Sequence, residues 1–132
     1  MADHSRALTN LERAMTELES YAALPIVHRR DKAGLIQAFE FTFELFWKTF
    51  QKLGPDAGLE AASPREALVV GTRLHLISPD EADAWSRMLR DRNLSSHTYN
   101  APLADEIVER LLTIYLPCFR ASLLRTRAAV EA

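Results

Sequence analysis

The sequence predicts an all-α fold, an up-down four-helix bundle with one additional short helix. Three observations carry that expectation. Apolar residues recur at three- and four-residue spacing along most of the chain, which is the helical period. Ser-Pro and Gly-Pro pairs punctuate the stretches between, where helices start and stop. Only four glycines occur and β-branched runs are few, which argues against a sheet. The connections are mostly short, so an up-down arrangement is the economical one. A chain of 132 residues suits a single domain, 1–132, large enough to bury a core.

The first helix is expected over about residues 3–24. Leu8, Leu11, Met15 and Leu18 mark its apolar face, and Pro25 stops it. The second, about 29–53, has the strongest pattern. Leu35, Phe39, Phe43, Phe46, Phe50 and Leu53 lie on one face, while Phe41 and Leu45 fall roughly opposite. Two stripes on one helix need two coverings, either other helices of the bundle or a second copy of the chain. Glu40 and Glu44 lie one turn apart between the stripes; such a pair could do acid-base work, but a solvated flank is the simpler reading.

Gly54-Pro55-Asp56-Ala57-Gly58 ends that helix. Ser63-Pro64-Arg65-Glu66 then looks like a helix start, with Ser63 as N-cap, Pro64 in the first position and Glu66 closing a capping box. It opens a short helix over about 64–74. Ser78-Pro79-Asp80-Glu81 repeats the device and opens the fourth, whose buried face carries Trp85, Met88, Leu89 and Arg92. Arg87 and Arg90 look like exposed charges or a basic strip, balanced by Asp80, Asp83 and Asp91. The last helix, about 102–129, has Ile107, Val108, Leu111, Tyr115 and Phe119 on its apolar face. Pro117 inside it should kink it or leave a carbonyl unpaired.

Composition excludes several function classes. The apolar fraction of 48%, charged fraction of 26% and net charge of -2 are those of an ordinary globular protein with no global pull on nucleic acid. One cysteine, Cys118, cannot form an intramolecular disulfide. His4, His28, His75 and His97 are scattered, so neither a metal site nor a cofactor is expected. No stretch is long and apolar enough to span a membrane and none resembles a signal peptide, so the expected location is the cytoplasm.

Chemistry concentrates in Arg92-Asn93-Leu94-Ser95-Ser96-His97-Thr98-Tyr99-Asn100. Arg92 is a fixed cation that grips phosphate bidentately. His97 titrates near neutral pH. Ser95, Ser96 and Tyr99 offer hydroxyl donors. On a regular helix Arg92, Ser95, Ser96 and Tyr99 share a face and His97 points away from Arg92. A site using both therefore needs a break in the helix or a second chain. From the residues alone, Arg92 and Asn93 closing a helix end is the simpler reading.

The Arg92-x4-His97 spacing resembles the Arg-x4-6-His element of the HEPN superfamily. The segment Phe39 to Lys48, the Ser63-Pro64 start, Trp85 with Met88-Leu89, the Arg92 to Asn100 motif and Tyr115-Leu116-Pro117 resemble one branch of it more narrowly. That branch comprises the nucleotidyltransferase substrate-binding proteins and the HepT-type toxins. The resemblance implies a HEPN-like helical bundle that forms a homodimer and pairs with a cognate minimal nucleotidyltransferase. It further implies a metal-independent ribonuclease toxin acting on RNA, with Arg92 and His97 catalytic and Asn93, Ser95 and Ser96 supporting. The antitoxin would then act by AMPylation of Tyr99. The older family name implies instead a non-catalytic subunit that holds substrate for the nucleotidyltransferase. A third reading is a structural helical module whose polar motif only caps a helix and fixes a dimer.

Overall fold

The computed structural model describes residues 2–95 and 100–132, with no statement about the side chain of Ala2. Among the described residues six helices follow one another: α1 (Ala2–Ala22), α2 (Arg29–Leu53), α3 (Pro64–Arg73), α4 (Ala82–Ser95), α5 (Ala101–Arg110) and α6 (Leu116–Glu131). A π turn, Leu111–Tyr115, joins α5 and α6 into one long rod, leaving about five helical units and no strand among the described residues. This is the all-α bundle expected from the apolar spacing.

Helix α2 is the axis of the packing. It lies against α1, α3, α4 and α5. Its Phe39, Phe43, Phe46 and Phe50 are fully buried, because alternating four- and three-residue spacing keeps them on one face. Phe119 of α6 stacks on Phe46 at 4.8 Å between ring centroids, and Trp85 of α4 meets Phe46 edge-on at 5.3 Å. Each such ring contributes about 1.5–3 kcal/mol through burial, with about 0.5–1.5 kcal/mol more for well-placed pairs. Thr42 and Thr49 lie buried on the same helix. Their hydroxyls donate to the carbonyls of Ala38 and Leu45 one turn back, so no polar atom is stranded there.

The second apolar stripe of α2 is only partly covered within the chain. Leu45 is half-buried, and Phe41 remains 57% exposed. Helix α3 approaches α2 closely at Gly71, where a Cβ would lie 2.8 Å from the Phe50 ring. Beyond α3, His75 takes a left-handed conformation (φ 63°), and the Leu76 and Ile77 N–H groups return to the Gly71 carbonyl. That closing turn delivers Leu76 and Ile77 to the core.

The two Ser-Pro starts are built differently. Ser63 Oγ accepts from the Glu66 N–H at 3.2 Å, and the Glu66 carboxylate takes the Ala62 N–H at 3.1 Å, one residue upstream of the expected box. Glu81 does close on the Ser78 N–H at 3.1 Å, but a 3-10 turn, Pro79–Glu81, precedes α4 there. Pro117 does not break the last rod. The π turn immediately before it pairs the Leu116 N–H with the Leu111 carbonyl, five residues back, so the widened ladder comes just before the residue that has no N–H. No described helix is long and apolar enough to cross a membrane.

Candidate functional site

Helix α4 runs unbroken from Ala82 to Ser95 and crosses α2, bringing the start of the polar motif against two carboxylates. Arg92 Nη2 lies 3.7 Å from Glu44 Oε2, and Lys48 Nζ lies 3.2 Å from Glu44 Oε1. One turn earlier on α2, Glu40 Oε2 accepts from Ser95 Oγ at 2.8 Å. Glu40 and Glu44 are therefore part of the motif's surroundings rather than a solvated flank. Asn93 and Leu94 face outward, both exposed. Asn100 caps α5 by accepting from the Leu103 N–H at 3.0 Å.

Beneath Arg92 lies a group that pattern reading misplaces. Asp91 is 1% exposed, although its position among Arg87 and Arg90 suggests a surface charge. Arg110 grips it through Nε and Nη2, each at 2.8 Å, and Tyr115 Oη donates to Asp91 Oδ2 at 2.5 Å. The fork geometry makes this a charge-assisted, bidentate pair. Burial and the neighbouring carboxylate hold the Tyr115 phenol above its ordinary range, and the Asp91 hydrogen bonds raise Arg110. Both partners come from the α5–π–α6 rod, Arg110 at the end of α5 and Tyr115 at the end of the π turn. The signal in the sequence was faint: Asp91 stands three residues after buried Met88, at the edge of the apolar stripe.

The expected site residues divide accordingly. Arg92 and Ser95 are brought together with Glu40 and Glu44, and Asn93 lies beside them in the open. Ser96, His97 and Tyr99 lie outside the described residues. Arg87 and Arg90 are exposed on α4. No group of three or more His, Cys, Asp or Glu side chains suited to a metal ion occurs among the described residues.

Comparison with known proteins adds three findings. Residues 2–128 match the family model described as nucleotidyltransferase substrate binding protein like. A crystal structure of a protein from Thermus thermophilus superposes with a TM-score of 0.79 at 37% identity, covering 89% of this chain and 98% of that one. No curated protein matches.

The family match overturns the toxin resemblance. The ordered motifs point to the substrate-binding branch and not to a HEPN-type ribonuclease toxin. Catalysis by Arg92 and His97 on RNA falls with it, as does an off-switch through AMPylation of Tyr99. The local electrostatics agree. Arg92 is ion-paired with Glu44, and Glu40 sits one turn away on the same helix. Two carboxylates beside the cation disfavour a polyanionic backbone at that spot. The Arg-x4-His spacing by itself specifies no reaction.

Proposed function

The chain belongs to the nucleotidyltransferase substrate-binding protein family, and we propose that it serves as the non-catalytic, substrate-holding subunit of a two-component nucleotidyltransferase. Acting as one helical-bundle domain, it would present an acceptor to a separate catalytic chain. The observation that carries this reading is the family match, which extends from residue 2 to 128, nearly the whole bundle. The geometry supports it. The end of α4 presents polar groups beside acids of α2: Ser95 donates to Glu40, and Arg92 pairs with Glu44. Arg92, Asn93 and Ser95 are proposed as a contact strip, continued along the sequence by Ser96, His97 and Tyr99. The reading extends to a homodimer, supported by the apolar surface that Leu94, Leu112 and Ile114 leave exposed on α4 and the adjoining π turn.

The test is co-expression with a small nucleotidyltransferase from the same genome. The two chains should co-purify, and nucleotidyl transfer from ATP to an acceptor should require both. Arg92→Ala should weaken the complex or raise the KM for acceptor, with an unchanged thermal melt. The isolated chain should leave RNA intact. Metal-free RNA cleavage that His97→Ala abolishes would refute the proposal, as would full transfer activity from the nucleotidyltransferase alone.

A further inference from the structure

A cavity of about 680 Å³ opens between the C-terminal half of α1 and the N-terminal half of α2, under the loop that joins them. That volume falls within the range of small-molecule sites. Two helical stripes form its walls. Glu17 and Tyr21 stand one turn apart on α1, and Arg30, Gly34 and Phe41 follow one another along α2, with Ile26 of the connecting loop above. Tyr21, Ile26 and Phe41 are 41%, 37% and 57% exposed, so the cavity keeps aromatic and aliphatic surface uncovered in this chain.

Two features say what would occupy it. The first is Gly34. It lies inside a 25-residue helix, where glycine costs about 1 kcal/mol relative to alanine. Its φ is not of the left-handed kind, and a Cβ there would meet nothing within 4 Å. Neither backbone conformation nor close packing accounts for the glycine, and its missing side chain widens the cavity. The second is the charge pattern. The Asp31 carboxylate is committed to the N–H groups of Val27 and His28, at 2.9 and 2.7 Å. Those two bonds hold its pKa below the usual carboxylate range. Glu17 Oε1 accepts the Tyr21 hydroxyl at 2.9 Å. Arg30, by contrast, makes no side-chain hydrogen bond or ion pair among the described residues and acts on the neighbouring Asp31 only through its charge. The cation in the lining is available, whereas each acid is at least partly engaged.

We propose that this cavity is a binding site for a small organic anion with a flat apolar body, the body lying over Gly34 between Tyr21 and Phe41 and the anionic group on Arg30. The proposal deepens the substrate-holding reading and rests on it only for the ligand's identity as the acceptor. Position supports that link. Glu44, the partner of Arg92, stands three residues beyond Phe41 on α2, so the slot runs toward the contact strip.

The test uses the full chain, with anilinonaphthalene sulfonate as the anionic probe and N-phenylnaphthylamine as its neutral counterpart. The anion should bind saturably, one per chain, and more tightly than the neutral probe. Arg30→Ala should weaken the anion about tenfold, the loss of one charge-assisted contact, and leave the neutral probe unchanged. Gly34→Leu fills the cavity with a good helix former and should abolish both, with the thermal melt retained. Amide shifts at Tyr21, Gly34 and Phe41 on adding the probe locate it independently of any variant. Equal affinity for both probes, or binding that survives Gly34→Leu, would overturn the proposal. So would loss of nucleotidyltransferase pairing in Gly34→Leu without probe binding in the wild type, since that assigns the slot to a protein segment. Failure to pair with any nucleotidyltransferase, with probe binding intact, refutes the substrate-holding reading and leaves the site standing.

Discussion

Replacing Asp91 by alanine should be among the most destabilising single changes on α4. The side chain is nearly absent from the surface, and three short hydrogen bonds converge on it. Its removal leaves the Arg110 guanidinium and the Tyr115 hydroxyl without their acceptor. Breaking a buried pair from one side typically costs about 3–5 kcal/mol. The Arg110 side chain retains 16% exposure and has Glu106 at 4.0 Å as a residual partner, so the lower end, about 3 kcal/mol, applies. For a domain of this size that lowers Tm by about 10 °C. Tyr115→Phe keeps the ion pair and loses one hydrogen bond to a charge, so about 1.5–3 kcal/mol is expected. The decisive variant is the double change Asp91→Leu, Arg110→Met. Removing both charges avoids the stranded cation, so the double variant should be more stable than Asp91→Ala. Urea unfolding with a common slope measures all four proteins. A loss below about 1 kcal/mol for Asp91→Ala, or a double variant no more stable than Asp91→Ala, would refute the account of Asp91 as a buried anchor.

The remaining outcomes concern packing and pH. Gly71→Ala sets overpacking against Phe50 and Ile77, about 1–3 kcal/mol, against a helix-propensity gain of about 1 kcal/mol, so a net loss is expected. Gly34→Ala meets nothing and should gain up to about 1 kcal/mol; urea midpoints give both signs. Burial, then the charge of Glu81, pushes the Cys118 thiol up to about 11. Because that pKa is raised on folding, the stability it contributes is complete below pH 9 and is lost as pH rises to about 11. Urea midpoints should fall across that window and fall less in Cys118→Ala. Tyr115, raised above 10 in the same sense, accounts for the decline that remains at higher pH. At about pH 8 the native thiol should resist alkylation.

The helices were legible because their signals are local. Phe39, Phe43, Phe46 and Phe50 repeat at one turn, and Ser63-Pro64 and Ser78-Pro79 mark starts within a few residues. The contact that ends the π turn was not legible, because Tyr115 meets Asp91 24 residues away. Asp91 was misplaced for the same reason. An acid beside Arg87 and Arg90 has the local pattern of a surface charge, and its burial is decided by Arg110, 19 residues on. Among the described residues the site was legible in part. Arg92 and Ser95 were picked out by type, but Glu40 and Glu44 were read as a flank, since only the crossing of α4 over α2 turns them into partners.

The function was misread at a different level. Arg92, Asn93 and Ser95 are groups that a ribonuclease and a binding subunit would use alike, because gripping an acceptor and stabilising a reacting phosphate draw on the same donors. What separates the two is the surrounding charge. Glu44 on Arg92 and Glu40 on Ser95 lower the local potential and satisfy the donors in advance, which favours a modest, reversible hold over transition-state stabilisation. Those acids come from α2, the same helix whose Arg30, Gly34 and Phe41 shape the open slot. One helix therefore lines the proposed slot near its start and carries, near its middle, the acids that face the proposed contact strip on α4, and Asp91, anchored from the opposite side, holds α4 against those acids. A change at Asp91 should accordingly reach the strip through the position of α4, while leaving probe binding at Arg30 and Gly34 intact.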